Sequence, residues 1–301
     1  MSDPADPPSD LPPGSGEGER VTAALRMRQL QHRFRRRTRP RFSGQSFNRM
    51  IPNLLTMLGL SAGLTAMRFA LEGRFEAAAT AIIVAAAIDG LDGRLARLLK
   101  ATSRFGAEFD SLADFLCFGV APAFILYLWS LQTAGGFGFM PCLMFAVCMA
   151  LRLARFNASF DAGPHPAYTY NFFTGVPAPA GAGLVLFPLF LGLEGKAMGW
   201  DWLVAIAQFP PFIAAVLVGT ALLLVSTLPV WSFKNFKVPS RYMLPLLLGT
   251  GLFAALLVAD PWLALAAGGF AYIAMLPFSA RSYRRLKREA ETNGEEADAA
   301  A

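Results

Sequence analysis

Long apolar stretches recur along the chain between residues 51 and 280, and short polar connections separate them. Each stretch has about the 20 residues that a helix needs to cross a bilayer. No stretch shows the strict alternation of apolar and polar residues that is typical of a half-buried strand. A proline pair at 210–211 should make the sixth helix begin near Phe212. The pattern predicts an all-α bundle of about eight membrane-spanning helices, at residues 53–71, 75–98, 106–132, 138–157, 176–193, 203–229, 241–259 and 261–279.

Positive charge is distributed unevenly among the connections between these helices. Connections on one side hold most of the Lys and Arg residues, whereas those on the other side hold few, with acidic residues beside them. Positively charged loops stay on the cytoplasmic side of a membrane. We therefore expect a multi-pass protein of the cell (inner or cytoplasmic) membrane with both termini in the cytoplasm. The positive set is Arg94, Arg97, Lys100, Arg104, Arg152, Arg155, Lys234, Lys237, Arg241, Arg281, Arg284, Arg285, Lys287 and Arg288.

The composition agrees with a membrane protein. Hydrophobic residues make up 54% of the 301 residues and charged residues only 16%, whereas a typical soluble domain has about 25% charged residues. The few sulfur and imidazole side chains lie far apart or within apolar runs. This argues against a disulfide framework, a zinc site and histidine-based catalysis. The residues concerned are Cys117, Cys142, Cys148, His32 and His165.

The two ends of the chain differ from the apolar middle. Residues 1–19 are rich in Pro, Gly, Ser and acidic residues and are predicted to be disordered. Residues 20–50 form a basic juxtamembrane segment, which either contacts anionic lipid headgroups or acts only as a topology signal. No folded binding module accompanies these charges, and so we do not expect nucleic-acid binding. After the membrane domain at 51–280, residues 281–301 are basic and then acidic and are predicted to form a disordered tail.

Four aspartates lie within the second and third predicted helices, at Asp89, Asp92, Asp110 and Asp114. An ionised carboxylate in a membrane helix costs about 2.5–3.5 kcal/mol, so the four would cost on the order of 10 kcal/mol without a compensating partner. Residues three or four apart share one helix face, and the connection between the two helices is short, so both pairs can face one cavity at the cytoplasmic end. Small residues on or beside those faces leave room for a ligand: Gly93, Ala96 and Gly106.

Converging carboxylates repel one another unless a divalent metal lies between them. Oxygen ligands without His or Cys suit Mg²⁺ or Mn²⁺, with Ca²⁺ as a further option. Because protein-bound Mg²⁺ usually also contacts substrate phosphates, the cluster predicts a phosphate-bearing substrate. Two ions would neutralise a diphosphate, and a carboxylate not fully engaged by metal could act as a general base toward an alcohol.

Two other interpretations of the aspartates remain open at this point. In the first, Arg94, Arg97 and Arg104 pair with the aspartates in a buried ion network. In the second, the acids mark a proton or ion pathway in a transporter. A transporter of this kind would be expected to carry polar intramembrane residues in both halves of the chain, whereas residues 176–279 are almost free of intramembrane charge.

The spacing D-x-x-D-G-x-x-A-R-(x8)-G-x-x-x-D-x-x-x-D runs from Asp89 to Asp114. It resembles in full the signature of the CDP-alcohol phosphotransferases, membrane enzymes that transfer a phosphatidyl or phosphoalcohol group from a CDP-linked donor to an alcohol. The resemblance implies that Asp89, Asp92 and Asp110 chiefly hold metal and the nucleotide diphosphate. It implies that Asp114 is the candidate catalytic base and a further metal ligand. The residues implied to contact CDP are Asp89, Gly93, Ala96, Arg97 and Gly106.

Further segments resemble the phosphatidylserine synthase branch of this family across residues 50–240. They lie at 52–56, 109–122, 152–157, 173–179 and 232–237. The resemblance implies a bundle with a six-helix catalytic core, a homodimer, and transfer from CDP-diacylglycerol to L-serine, which yields phosphatidylserine and CMP. A sister enzyme that uses glycerol 3-phosphate, inositol phosphate or choline as the acceptor is the alternative.

Three polar residues near the end of the fourth predicted helix are candidates for the acceptor site. Arg152 and Arg155 lie three residues apart on one helix face, and Asn157 follows them. A serine acceptor carries a carboxylate that needs a cation. The two arginines can therefore recognise this carboxylate or a donor phosphate, or they can be interfacial charges that only set the topology.

Four further residues have two interpretations each. Asn53 and Thr56, at the start of the first predicted helix, can reach the nucleotide or can cap that helix. Phe118 and Gly119, just after the last aspartate, can shape the acceptor pocket or can serve only the packing of helices. The positions of these residues along the chain are compatible with both interpretations.

Overall fold

The computed structural model describes residues 50–99, 101–159, 172–231 and 240–299. These ranges contain eleven α-helices and one antiparallel pair of three-residue strands. The predicted all-α fold class is therefore confirmed. In chain order the elements are α1 (Ile51–Leu71), α2 (Phe75–Leu98), α3 (Arg104–Asp114), a π-helical segment (Phe115–Val120), α4 (Ala121–Trp129), a 3₁₀ turn (Leu131–Ala134), α5 (Gly136–Ser159), β1 (Phe172–Thr174), α6 (Ala178–Val185), α7 (Phe187–Met198), α8 (Asp201–Ala207), α9 (Pro210–Val225), β2 (Pro229–Trp231), α10 (Ser240–Ala259) and α11 (Pro261–Ala299).

Each predicted membrane helix coincides with one helix or with helices separated by a short break. By length and composition, four helical stretches of the described chain can cross a membrane: Ile51–Leu71, Arg104–Trp129, Gly136–Ala158 and Pro261–Tyr283. Two further pairs of consecutive helices are bent, α6 and α7 by 44° and α8 and α9 by 51°. If each pair forms one broken span, the described chain has up to two more spans. α2 has 24 residues, but its charged residues keep it outside this set. The chain is thus a multi-pass membrane protein, and the number of eight crossings stays a prediction.

The structure differs from the predicted helix boundaries at two places. α9 begins at Pro210 rather than near Phe212, because the missing N–H of a proline needs no partner in the first turn of a helix. α11 continues to Ala299, through most of the segment 281–301 that we predicted to be a disordered tail. That segment is rich in Arg, Lys, Glu and Ala, which have high helix propensity.

Three parts of the sequence prediction concern residues that the structure does not describe. The acidic segment at 1–19 and, apart from Met50, the basic segment at 20–50 lie outside the described residues. The motif at 232–237 lies outside them as well. The interpretations of these segments therefore stay predictions.

α1 and α2 pack closely because small residues line their contact. Gly59 of α1 approaches Ile88 and the backbone carbonyl of Ala85 on α2. Small residues of this kind let membrane helices gain van der Waals contact. The turn between the helices contains Gly73, whose φ of 71° favours glycine. The buried residues of α1 recur at the spacing of one helix face, at Pro52, Thr56, Gly59, Gly63, Ala66 and Ala70.

α1 also supports the rest of the aspartate-bearing region. Besides α2, it contacts α3, the π-helical segment and α4. These elements share one buried core with α5, α6, α7 and α9, in which large side chains such as Phe145 and Leu217 are fully buried. α1 therefore fixes the position of α2 relative to α3, and the four aspartates lie on these two helices.

Gly63 is a point of close approach between α1 and the π-helical segment. A Cβ atom at this position would lie 2.5 Å from Cys117 Sγ and 3.3 Å from Cys117 Cα. Gly63→Ala should therefore force the helices apart and lower the free energy of unfolding by about 1–3 kcal/mol, as overpacking of a core does. Thermal denaturation of the detergent-solubilised protein measures this loss.

The matched control is Gly219→Ala in α9. A Cβ atom on Gly219 would meet nothing within 4 Å, and alanine has the higher helix propensity. This variant should keep or raise the melting temperature. Equal melting temperatures for Gly63→Ala and the wild type would contradict the close packing at Cys117.

Candidate active site

The aspartates of α2 and α3 form one cluster. Asp89, Asp92 and Asp110 each offer a carboxylate oxygen, and these three oxygens lie within 4.8 Å of one another. Asp92 is buried, with 4% of its surface exposed, while Asp89 and Asp110 are half-buried. Helical spacing and the short connection predicted that the pair on α2 and the pair on α3 would face one cavity. The structure brings both aspartates of α2 together with Asp110 of α3.

Asp114 lies beside this group and makes a different contact. Its carboxyl group is hydrogen-bonded to the carboxyl group of Asp89. The sequence predicted Asp114 as a fourth metal ligand, but it is not one of the three residues whose oxygens converge. The site thus combines a group of three carboxylates with a fourth carboxyl group that Asp89 holds next to them.

The three converging residues fit a hard divalent cation. All of their ligand atoms are carboxylate oxygens, the ligand type that Mg²⁺, Mn²⁺ and Ca²⁺ prefer. Oxygens on opposite sides of an ion lie about 4.0–4.2 Å apart around Mg²⁺ and about 4.6–5.2 Å apart around Ca²⁺, which is twice the usual metal–oxygen distance. The three aspartate oxygens, which lie within 4.8 Å of one another, are therefore about as far apart as oxygens bound to the same ion. Asp89, Asp92 and Asp110 can therefore hold a metal ion together.

Within the ranges that the structure describes, none of the arginines next to the aspartate motif forms an ion pair with the cluster. Arg94, Arg97 and Arg104 are all exposed to the surroundings of the bundle. Ala96, the motif residue before Arg97, is half-buried. The ion pairs found in these ranges lie in the turn between α1 and α2, at the other end of α2. The buried ion network that the sequence left open is not formed, and the negative charge of the cluster remains available to a cation.

α1 supplies a contact that orients Asp92. The Thr56 hydroxyl donates a hydrogen bond to Asp92 Oδ2 across 2.8 Å, and Thr56 is itself buried, with 7% exposure. Neither Thr56 nor Asn53 caps the helix, because α1 begins at Ile51 and its first turn has no side-chain cap. Sequence reasoning missed the bond to Asp92, since it joins residues 36 positions apart on different helices.

The two glycines of the aspartate motif have different surroundings. A Cβ atom on Gly93 would meet nothing within 4 Å, so this face of α2 is open. A Cβ atom on Gly106 would lie 3.0 Å from Asn53 Oδ1 and 3.0 Å from Ser103 Oγ. Ser103 caps α3 by accepting a hydrogen bond from the Gly106 N–H at 3.0 Å. Gly106 therefore permits the close approach of α1 to α3, and Gly93 leaves space for a ligand.

The π-helical segment, Phe115–Val120, directly follows α3. Pro122 accounts for it, because a proline lacks an N–H and conflicts with the carbonyl four residues earlier, so the backbone widens. A Cβ atom on Gly119 would lie 3.0 Å from Met149 Cγ on α5, so Gly119 serves helix packing. Phe118, by contrast, lines a small cavity next to the aspartates. The cavity is lined by Thr56, Gly59, Leu60, Ala85, Asp89, Asp92, Ala113, Asp114, Cys117 and Phe118.

Arg152 of α5 is a buried cation. Only 9% of its surface is exposed, and its Nε donates a hydrogen bond to the carbonyl of Val176, just before α6. Arg152 also interacts electrostatically with Asp114. Its burial favours the interpretation as an anion-binding residue over that of an interfacial topology charge.

Arg155, one turn further along α5, is engaged by backbone carbonyls. Its Nη1 donates to the Val225 carbonyl at 2.8 Å, and its Nη2 donates to the carbonyls of Leu224 at 3.1 Å and Ser226 at 3.3 Å. These carbonyls end α9, where a helix leaves acceptors unpaired and a cation is favourable. Arg155 thus holds the end of α9 against α5, and its donors face α9 rather than the aspartates.

Asn157 connects the end of α5 to α3. Its Nδ2 donates to Ser111 Oγ at 3.0 Å, and the Ser111 hydroxyl lies 3.2 Å from Asn157 Oδ1. Ser111 directly follows Asp110, so this pair holds the helix that carries Asp110 and Asp114. Sequence reasoning did not single out Ser111, because a serine within a helix gives no signal of a distant partner.

A protein-family model described as CDP-alcohol phosphatidyltransferase matches residues 49–207. The chain belongs to this family. A second model, described as CDP-alcohol phosphatidyltransferase 2, matches residues 241–277. The resemblance inferred from the aspartate motif is therefore confirmed.

Several proteins similar to this chain are named CDP-diacylglycerol–serine O-phosphatidyltransferase. A protein of Mycobacterium tuberculosis is 42% identical over 80% of this chain and 82% of its own length. A protein of Mycobacterium leprae is 41% identical over 84% of this chain and 82% of its own length. A protein of Bacillus subtilis is 32% identical over 54% of this chain and 90% of its own length.

The family match covers the whole candidate site. Residues 49–207 include α1 to α8, and with them the aspartates, Thr56 and the arginines of α5. CDP-alcohol phosphatidyltransferases are metal-dependent in general, which agrees with the converging oxygens of Asp89, Asp92 and Asp110. The second match adds parts of α10 and α11 to the region shared with the family.

Proposed function

We propose that this protein is an integral-membrane phosphatidyltransferase of phospholipid biosynthesis, which converts CDP-diacylglycerol and L-serine into phosphatidylserine and CMP. The observation that carries the proposal is the convergence of Asp89, Asp92 and Asp110, whose oxygens lie within 4.8 Å of one another in membrane helices. A metal held by such a cluster would neutralise the diphosphate of a donor, and family membership indicates a CDP-linked donor. The relatives named for serine transfer support serine as the acceptor.

The metal proposed for this site is Mg²⁺ or Mn²⁺, with Ca²⁺ as a further option and with two ions in the complete site. Asp89, Asp92 and Asp110 would hold it, with Asp114 as the fourth ligand that the sequence suggested. When bound, such ions neutralise the donor diphosphate and stabilise the leaving oxygen. Thr56 keeps Asp92 oriented toward the cluster through its hydrogen bond of 2.8 Å.

Asp114 is the proposed general base toward serine. Its hydrogen bond to Asp89 keeps it beside the other aspartates. In the proposed step Asp114 takes the proton of the serine hydroxyl, and the serine oxygen forms a bond to the phosphatidyl phosphorus. The bond from that phosphorus to the oxygen of CMP breaks, and CMP leaves with the electron pair. The transfer is direct and needs no covalent enzyme intermediate.

Arg152 is the proposed anchor for the serine carboxylate. It is a buried guanidinium that interacts electrostatically with Asp114, and a guanidinium forms strong hydrogen bonds with a carboxylate. Phe118 would form an apolar wall of the acceptor site, because it lines the small cavity beside Asp89 and Asp114. The other residues suggested for the acceptor site would support this pocket indirectly, through their contacts with neighbouring helices: Arg155, Asn157 and Gly119.

The nucleotide of the donor is proposed to lie along the end of α2, over Gly93, Ala96 and Arg97, with Asn53 and Gly106 at its border. The open space beside Gly93 supports this placement, as does the exposure of Arg97. We propose that this end of the bundle faces the cytoplasm, because the connection that follows α2 belongs to the positively charged set. Labelling of a single cysteine introduced at Arg97 in intact cells and in inverted vesicles tests the orientation.

The basic segment at 20–50 is proposed to contact anionic membrane lipids, and the protein is proposed to be a homodimer. Each Lys or Arg near an anionic surface contributes about 1 kcal/mol to such binding, and this segment holds many of them. Flotation of a peptide of this segment with vesicles that contain or lack phosphatidylserine tests the lipid contact. Light scattering of the purified protein tests the dimer.

A comparison of acceptors tests the proposed function. Purified protein receives CDP-diacylglycerol, a divalent metal and one of four alcohols: L-serine, glycerol 3-phosphate, inositol phosphate or choline. We expect rapid CMP release with serine and little with the others. Preference for another alcohol would identify a sister enzyme of the same family. Absence of CMP release with every acceptor would contradict an enzymatic function and favour the transporter alternative.

A further inference from the structure

α11 contains a hydroxyl group that is buried without a partner. The Oη atom of Tyr272 is enclosed and has no hydrogen-bond partner among the residues that the structure describes. The ring of Tyr272 packs against the main apolar core, so the hydroxyl cannot simply turn to the surface. Buried hydroxyl groups in folded proteins almost always have a partner, and an exception requires an explanation, such as a functional role or a bound water.

The buried cation of the candidate site lies near this hydroxyl. Tyr272 and Arg152 interact electrostatically with each other. The Nε of Arg152 donates to the Val176 carbonyl. α11 packs against α6 and β2, and Val176 is in the connection just before α6. Three parts of the chain therefore meet here: α5, the connection before α6, and α11.

The position of this pair relative to the aspartates indicates which substrate it would contact. Of the four aspartates, all within the described ranges, Asp114 is the one with which Arg152 interacts electrostatically. Asp89, Asp92 and Asp110 form the group suited to the metal and the donor diphosphate. We therefore assign the pair of Arg152 and Tyr272 to the acceptor, whose hydroxyl group must approach the proposed base Asp114.

We propose that Tyr272 is a specificity-determining residue, whose hydroxyl donates a hydrogen bond to the carboxylate of the acceptor amino acid while Arg152 pairs with the same carboxylate. The proposal rests on the proposed function and extends it to α11. One cation and one neutral donor match the single negative charge of a carboxylate. A phosphorylated acceptor carries more charge and would require a second cation, but the guanidinium of Arg155 is already bound to the carbonyls that end α9.

Tyr272→Phe tests the proposal by removing one oxygen atom. We expect the KM for serine to rise about 10-fold or more, because a hydrogen bond to a charged group is lost. The KM for CDP-diacylglycerol, the metal requirement and kcat should stay close to those of the wild type, which a merely structural defect would not allow. The matched control is Tyr127→Phe in α4, whose ring packs edge-on against Phe139 and whose loss of a hydroxyl should leave all these constants unchanged.

A second measurement uses L-serinamide, in which an uncharged amide replaces the carboxylate. The wild type should use serinamide with a kcat/KM about 10-fold or more below that for serine, and Tyr272→Phe should cause no further loss with serinamide. The wild-type part of this measurement holds even if Tyr272→Phe does not fold. Any of three results would overturn the proposal. The wild type could use serine and serinamide equally well, Tyr272→Phe could keep the wild-type KM for serine, or Tyr272→Phe could lose the same factor in kcat/KM with both acceptors. Failure of the proposed function differs from all of these, because wild-type protein would then transfer nothing to serine.

Discussion

Asp114→Asn is expected to lower kcat by about 10²- to 10⁴-fold, which is the usual contribution of a positioned general base. The amide has the size of the carboxyl group and can still form a hydrogen bond with Asp89, but it cannot take the proton of serine. Because the converging oxygens of Asp89, Asp92 and Asp110 remain, CDP-diacylglycerol should bind nearly as well as to the wild type. Single-turnover CMP release measures the chemical step, and the thermal shift induced by CDP-diacylglycerol measures donor binding.

The matched control for this variant is Asp201→Asn, which makes the same change at an exposed position in the first turn of α8. It should keep wild-type turnover. A kcat near that of the wild type for Asp114→Asn would show that Asp114 is not the base. Loss of donor binding along with turnover would show that Asp114 acts chiefly as a metal ligand rather than as the base.

Asp110→Asn is expected to act on the metal rather than on the proton. The concentration of Mg²⁺ or Mn²⁺ for half-maximal activity should rise by at least about 10- to 100-fold, since even a change in a residue that only supports a metal ligand has this effect. Asp110 is the best of the three positions for this test. Asp89 is also hydrogen-bonded to Asp114, and Asp92 is also bonded to Thr56, so changes at those positions would affect two functions at once.

Glu108→Gln is the control for the metal test, because Glu108 is an exposed acid two residues before Asp110 on α3. It should leave the metal titration unchanged. Chelation should remove the activity of the wild type, and added Mg²⁺ or Mn²⁺ should restore it. Superimposable metal titrations for Asp110→Asn and the wild type would rule out Asp110 as a ligand.

The cost of burying aspartates in a membrane helix is partly offset by contacts that the structure shows. Asp92 accepts a hydrogen bond from Thr56 at 2.8 Å, and Asp89 and Asp114 are hydrogen-bonded to each other. A hydrogen bond of this kind stabilises the folded chain by about 0.5–3 kcal/mol. The bond between the two carboxyl groups requires a proton on one of them, so three carboxylates remain ionised at a cost of about 2.5–3.5 kcal/mol each. The remainder requires a cation, and this is the physical reason for assigning a metal to Asp89, Asp92 and Asp110.

Local patterns in the sequence were sufficient for the membrane helices and for the aspartate cluster. The eight apolar stretches cover α1 to α11, because the length of a spanning helix is set by the bilayer. They did not predict the breaks between α6 and α7 and between α8 and α9, or the extension of α11 to Ala299. Asp89 and Asp92 are three residues apart, and Asp110 and Asp114 are four apart. Residues at these spacings lie on one face of a helix whatever the rest of the fold, so the sequence predicted two aspartate faces that share a cavity. These predictions needed no knowledge of tertiary contacts.

Contacts between distant parts of the chain could not be predicted in this way. Arg152 and Arg155 are the same residue type on one helix face, yet Arg152 is buried near Asp114 while Arg155 holds the end of α9. Their difference depends on where Val176 and α9 lie, which the spacing along α5 does not contain. The bond from Thr56 to Asp92 and the burial of the Tyr272 hydroxyl depend on tertiary packing in the same way.

The central claim is that the aspartate cluster catalyses metal-dependent transfer of a phosphatidyl group to serine. The most direct test incubates the purified protein with CDP-diacylglycerol and labelled L-serine, and measures CMP and labelled lipid in the same samples before and after chelation of divalent metal. We predict equal molar amounts of CMP and labelled phosphatidylserine, both lost on chelation and both restored by Mg²⁺ or Mn²⁺. CMP release without labelled lipid, or lipid formation that survives chelation, would contradict the claim.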